Sequence, residues 1–223
     1  MIIAGIEEAG RGCVIGPMVM CIAVIDDNLI EDLLIYGVKD SKQLTPKRRT
    51  EIFEKLIQSL DYEICIISPD EIDKCLESQY TNLNWLEAEV SAKLAKKMLK
   101  RCNIDKIIID CPSNNTDAYK EFFLNLLDKK IDVIAEHKAD VNYPIVSAAS
   151  IIAKVIRDRE IENIKKILDV PLGSGYTSDP LTIKFLKEYY LRNKSFPNFV
   201  RKSWKTINRI IKEIEQKKII DFF

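Results

Sequence analysis

From about residue 40 to residue 135, short β-branched runs alternate with stretches whose apolar residues recur at helical spacing, and few architectures accept that order. Tyr62 to Ile67, Lys106 to Cys111 and Ile131 to Ala135 read as strands. The first two apolar runs of the chain, Ile2 to Ile6 and Met18 to Ile25, read as an antiparallel pair joined by a glycine-rich turn. Helices are predicted over 46–60, where Thr45 caps and Pro46 opens the segment, and over 84–102 and 117–127. Past Ala135 no strand pattern returns, and helices are expected over 145–168, over 180–192 behind an Asp179 cap, and over 201–218. The spacing therefore predicts one α/β domain with a mixed sheet over residues 1–170, a helical C-terminal extension packed on it over 171–215, and a tail over 216–223.

Composition narrows the function. With 223 residues, 47% hydrophobic and 30% charged, the chain is a folded globular protein able to bury an active site, which excludes disordered and fibrous readings. Lys and Arg total 34 against 34 for Asp and Glu, so only the distribution of charge speaks about partners. Residues 184–218 hold eleven basic side chains and three acidic ones, a balance suited to a polyanion. The six cysteines form no CxxC pair and His137 is the only histidine, so zinc spacings are absent, and scattered thiols suggest a reducing, cytoplasmic setting. No basic leader opens the sequence. The nearly apolar stretch Cys13 to Ile25 is broken by Gly16-Pro17 and is shorter than the roughly 20 residues of a membrane helix, so no membrane role is expected.

The unusual residues are acids where a core should be. Asp110 ends the run Ile107-Ile108-Ile109, and Glu7 follows Ile2 to Ile6. An ionised carboxylate at the end of a buried strand is costly unless it is paired or bound to a cation. A helix cap or a lysine partner suffices for any one of them. For the set, hydrated Mg²⁺ or Mn²⁺ is the more economical neutraliser, because hard cations want oxygen ligands and no His/Cys constellation is present. Gly10 and Gly12 allow close backbone approach to a ligand and Arg11 offers a donor for phosphate or sugar oxygens, although Gly-Arg-Gly also suits a plain hairpin turn. Neither GxxxxGK[ST] nor GxGxxG occurs, which argues against a triphosphate cradle or a dinucleotide site.

Six ordered motifs point further. They are Gly5-Ile6-Glu7-Glu8-Ala9-Gly10-Arg11-Gly12 with Ile15-Gly16-Pro17-Met18; Lys39-Asp40-Ser41-Lys42-Gln43-Leu44-Thr45; Ile109-Asp110; His137-Lys138-Ala139-Asp140; Ser147 to Val155; and Gly173-Ser174-Gly175-Tyr176 with Ser178-Asp179-Pro180. Over residues 1 to about 205 the chain resembles type 2 ribonuclease H, ribonuclease HII, in its archaeal form. The resemblance implies a ribonuclease H-like fold, with a five-stranded mixed sheet flanked by helices, and endonucleolytic cutting of RNA in RNA–DNA hybrids and 5′ of ribonucleotides embedded in duplex DNA. It implies four catalytic, metal-binding acids at Glu7, Glu8, Asp110 and Asp140, holding two divalent ions, Mg²⁺ or Mn²⁺, for in-line hydrolysis to 5′-phosphate and 3′-hydroxyl ends. Glu7 departs from the family's aspartate by one methylene, and Cys13 stands where proline is common.

By the same resemblance, Gly10, Arg11 and Gly12 sense the 2′-hydroxyl, Tyr176 stacks on the next deoxyribose, and Ser41, Lys42 and Lys154 contact phosphates. His137 is implied in product release or proton transfer, and the protein is expected to be a monomer. Another nuclease of the same fold, such as a junction resolvase, and a non-catalytic hybrid-binding or clamp-associated factor are the competing readings.

The chain ends Gln216-Lys217-Lys218-Ile219-Ile220-Asp221-Phe222-Phe223, which matches Q-x-x-[ILM]-x-x-F-F and resembles peptides that dock on the replication sliding clamp, PCNA. In one helical turn Ile219, Phe222 and Phe223 form an apolar plug and Gln216 a polar hook.

Overall fold

The computed structural model describes residues 1–38 and 44–220, with side chains described as far as Gln216. Five strands form one sheet among these residues: β1 (Ile2–Ala9), β2 (Met18–Asp26), β3 (Asp61–Ile67), β4 (Lys106–Asp110) and β5 (Asp132–Glu136), in the order β3-β2-β1-β4-β5. The sheet is mixed, since β1 runs antiparallel to β2 and parallel to β4, and β4 is parallel to β5. The helices are α1 (Ile30–Tyr36), α2 (Pro46–Ser59), α3 (Pro69–Glu77), α4 (Leu83–Leu99), α5 (Thr116–Leu126), α6 (Ala139–Asn142), α7 (Pro144–Leu168), α8 (Pro180–Asn193) and α9 (Lys205–Ile220).

The chain falls into two compact units that interleave along the sequence. One comprises Met1–Ala9, Val19–Ile66 and Asn82–Ile156; the other comprises Gly10–Met18, Ile67–Thr81 and Arg157–Phe223. In the first unit β1, β2 and α7 share a core that includes Ile3, Val19, Ala23, Ile145, Ala149 and Ile152. Helix α7 lies tight on β1: a Cβ on Gly5 would stand 2.6 Å from the carbonyl carbon of Ile145 and 2.6 Å from the Val146 nitrogen, so only glycine lets strand and helix meet here. The second unit builds its core from Val14, Ile15, Ile161, Leu172, Leu186, Val200 and Ile210. Its extended pairing consists of the isolated bridges Cys13↔Tyr176 and Ile15↔Val200.

Two of the boundaries that differ from expectation have physical reasons. Strand β1 does not stop at Ile6; Glu7, Glu8 and Ala9 continue it, opposite Cys21, Met20 and Val19 of β2. The helix expected from residue 201 starts at Lys205, because the Arg201 N–H donates to Val14 O and Asp73 on α3 holds the next turn. Asp73 accepts from the N–H of Lys202 (2.7 Å) and from the N–H (3.0 Å) and hydroxyl (2.5 Å) of Ser203. Helices α1, α3 and α6 were not among the expected elements, although Ser68 and Glu71 form a reciprocal capping box at the start of α3.

Candidate active site

Strand register builds the site in the first unit. On β1, successive side chains point to opposite faces, so Glu7 shares a face with Ile3 and Gly5, toward α7, and Glu8 lies on the other. The parallel pairing of β1 with β4 runs through Ile6↔Ile109, and one step further places Asp110 beside Glu7. Asp140 comes from α6, the short turn entered through Lys138 in the left-handed conformation at φ 59°. The Ala139 N–H donates to Asp110 Oδ1 at 3.3 Å, which ties α6 to the end of β4.

The result is an acid cluster: one carboxylate oxygen from each of Glu7, Asp110 and Asp140 lies within 4.8 Å of the other two. Glu7 is 7% and Asp140 2% exposed. Burial, followed by the charges of Glu8, Asp110 and Asp140, raises the Glu7 carboxyl well above its ordinary value of 4.5, against a hydrogen bond from Ser150 that favours the charged form. Glu8 is half-buried and outside the cluster of three, but its charge is felt by Glu7 and by the Tyr119 phenol on α5. Glu7 Oε2 is buried with no hydrogen-bond partner. Hard oxygen donors, like charges crowded together and an orphaned buried carboxylate oxygen fit a divalent cation, which supplies the missing partner and neutralises the repulsion.

Other residues singled out from the sequence take these places. Lys154 is half-buried on α7, one helical turn beyond Ser150 and on the same face. His137 is exposed, with Nδ1 2.9 Å from Cys111 O, so Nδ1 carries the proton and Nε2 is left for other partners. In the second unit, Gly10 to Cys13 form a turn closed by Cys13 N–H to Gly10 O at 3.3 Å. A Cβ on Gly12 would meet nothing within 4 Å, so no described part of the chain requires glycine there.

Tyr176 is half-buried beneath the Arg157 guanidinium, 4.9 Å from its ring centre, and burial pushes its phenol up to about 12. Asp179 caps α8 through the Leu181 N–H and accepts from the Ser174 N–H at 2.7 Å, which fixes the segment before Tyr176. Ser41, Lys42, Phe222 and Phe223 lie outside the described residues, as does the side chain of Ile219; Gln216 is exposed.

Three residues at these places were not read from the sequence. Ser150 is buried on α7 and reaches Glu7; its signal was a serine on the inner face of an otherwise apolar helix. Arg157, 1% exposed, donates to Cys13 Sγ and to Ser174 O, each at 2.8 Å. Arg201 is fully buried and donates to three backbone carbonyls, and burial lowers its guanidinium to about 10. Nothing in the periodicity around either arginine announces these contacts.

A mixed five-stranded sheet that gathers acids from β1, β4 and the turn after β5 defines a nuclease of the ribonuclease H-like class. The family model described as Ribonuclease HII matches residues 4–207. The ribonuclease HII of Methanococcus maripaludis is 47% identical over 222 residues, covering 99% of this chain and 92% of that protein. The crystal structure of ribonuclease H2 from Pyrococcus horikoshii superposes with a TM-score of 0.86 at 45% identity, covering 96% of this chain and 99% of that one. The ribonuclease HII of Archaeoglobus fulgidus, solved in complex with PCNA, superposes at 0.82 with 36% identity and covers 93% of this chain and 96% of its own. The chain belongs to the ribonuclease HII family. It is accordingly a metal-dependent endoribonuclease that cuts the RNA strand of RNA–DNA hybrids.

Proposed function

We propose that Glu7, Glu8, Asp110 and Asp140 hold two divalent ions, Mg²⁺ or Mn²⁺, and that the protein also incises 5′ of ribonucleotides embedded in duplex DNA. The observation that carries this is the meeting of Glu7, Asp110 and Asp140 oxygens within 4.8 Å, around a buried Glu7 oxygen with no protein donor. Held by these acids, such ions would supply the activation of a water for in-line attack and the charge stabilisation of the leaving 3′ oxygen. The chain's own residues do the rest. Ser150 aims Glu7 by its hydrogen bond, and the Ala139 N–H holds Asp110 Oδ1, so two of the carboxylates are oriented before substrate arrives. The extra methylene of Glu7 relative to the family's aspartate is accommodated in a buried position under α7.

Substrate selection is assigned to Gly10, Arg11 and Gly12 at the ribose and to Tyr176 at the following sugar, with Ser41, Lys42 and Lys154 on phosphates. The open space around Gly12 supports this: no described atom lies within 4 Å of where its Cβ would be, which leaves the position open to the close approach of a substrate. Clamp docking through Gln216, Ile219, Phe222 and Phe223 is supported by the complex of the Archaeoglobus relative with PCNA. Six free cysteines support a reducing, cytoplasmic setting, no described helix is long and apolar enough to cross a membrane, and a monomer is the proposed working form.

The test is incubation with Mg²⁺ or Mn²⁺ of three duplexes: an RNA–DNA hybrid, DNA with one ribonucleotide, and all-DNA. Incision 5′ of the single ribonucleotide, leaving 3′-hydroxyl and 5′-phosphate ends, is the expected result. Cutting of all-DNA junctions would favour a resolvase, and tight binding without incision a non-catalytic factor.

A further inference from the structure

Arg201 is a side chain in the second unit that packing alone does not explain. It is fully buried, and its donors go to neutral carbonyls: Nε to Gly16 O at 3.1 Å, Nη1 to Arg11 O at 2.8 Å and Nη2 to Gly10 O at 2.7 Å. Asp73, the acid on that side, is engaged with Lys202 and Ser203. Burying a guanidinium against carbonyls is costly relative to an apolar side chain, so its value lies in what it fixes.

Among the peptides it holds is the central one of a tight turn. Gly10 to Cys13 form a β-turn with its closing hydrogen bond in place, and among its four residues only Gly10 has positive φ. That makes it a type I turn, because type II needs positive φ at the third residue, Gly12. The two forms differ by a flip of the peptide between Arg11 and Gly12, and glycine at the third position tolerates both. The bond from Arg201 Nη1 to Arg11 O holds that peptide in one orientation, and Nη2 holds the preceding one through Gly10 O. Since a trans peptide carries C=O and N–H on opposite sides, pinning both carbonyls onto Arg201 turns the Arg11 and Gly12 N–H groups away from it. Gly12 is exposed, and no described atom stands within 4 Å of where its Cβ would be.

We propose that Arg201 is a positioning residue for ribose recognition, a lock that stops the Arg11–Gly12 peptide from flipping and so keeps the Gly12 N–H presented to the substrate's 2′-hydroxyl. This rests on the assignment of residues 10–12 as the ribose reader. The lock acts through backbone only, which is why lysine, with one ammonium in place of a planar fork, does not replace it.

The experiment compares wild type with Arg201→Lys and Arg201→Met, and with Gly12→Ala as a probe of the loop itself, each folded and held well below its melting temperature. On duplex DNA with one ribonucleotide, kcat falls about 100-fold in both Arg201 variants, the scale of a displacement of about 1 Å at a positioning group. In EDTA, where no cleavage occurs, their preference for the ribonucleotide duplex over all-DNA duplex disappears, while the Kd for all-DNA duplex is unchanged. A purely structural role leaves the preference intact in the folded fraction, so a wild-type preference in a folded Arg201 variant overturns the proposal. Should Arg201→Met not fold, Arg201→Lys decides. If Gly12→Ala keeps the wild-type preference, the ribose reader itself is wrong and the lock falls with it; if Gly12→Ala loses the preference and the Arg201 variants keep it, the lock alone fails.

Discussion

Glu7 concentrates the electrostatic problem of the molecule in one carboxyl. Buried and facing other acids, it takes up a proton far more readily in the folded chain than at its ordinary value of 4.5. Without metal, the folded state therefore binds a proton that the unfolded state releases, and stability falls as pH rises from 4.5 through the raised folded value. A divalent ion reverses the sign by making the charged form the favoured one. Melting temperatures in EDTA from about pH 5 to about pH 8 should decline more steeply for wild type than for Glu7→Gln, which has no charge to bury, and Mg²⁺ should raise the wild-type value most at the alkaline end. Parallel slopes for the two proteins would show that Glu7 is not held in this way. Asp110 and Glu7 were legible as candidates because a carboxylate ending an isoleucine run needs a partner, and for the two together a cation was the more economical one. Asp140 was legible only through the resemblance, since it sits in a four-residue helix behind a left-handed Lys138, where spacing carries no signal.

Strands and helices transmit that geometry. Because β1 continues past Ile6, Glu7 and Glu8 are strand residues with opposite faces, and not the first residues of a turn. The expectation ended the strand at Ile6, since acids lower strand propensity, while the pairing with Cys21 and Met20 overrides it. Helix α3 escaped notice for a related reason: its nine residues are too few to show a period, and only the Ser68–Glu71 box marked it. The helix pays its way through Asp73, which is 8% exposed and caps the entry to α9. Asp73→Ala removes charged hydrogen bonds to the part-buried amides of Lys202 and Ser203, so urea unfolding should show a loss of about 2 kcal/mol. A loss below about 0.5 kcal/mol would mean that water replaces the carboxylate without cost.

For the molecule as a whole, zero net charge hides a division of labour. The basic run over residues 184–218 is only partly neutralised internally, by pairs such as Lys187 with Glu213 at 2.6 Å and Lys184 with Glu188 at 3.9 Å. The distribution of charge and the tail motif were both legible in the sequence. The buried arginines were not, because Arg201 reaches Gly10 across 191 residues of chain and no local pattern encodes that pairing. If the tail docks on the clamp, Phe222→Ala with Phe223→Ala should weaken clamp binding at least about 100-fold by calorimetry, from the apolar burial of two aromatic rings. Undiminished binding by that double variant, or by a chain ending at residue 215, would remove the tail from the interface.

The most direct measurement is Mn²⁺ binding by calorimetry beside single-turnover incision of a one-ribonucleotide duplex, for wild type and Asp110→Asn. With the three acids sharing an ion, wild type binds Mn²⁺ with release of protons, and Asp110→Asn loses both the high-affinity binding and the incision. Wild-type Mn²⁺ affinity and incision in Asp110→Asn would contradict the account.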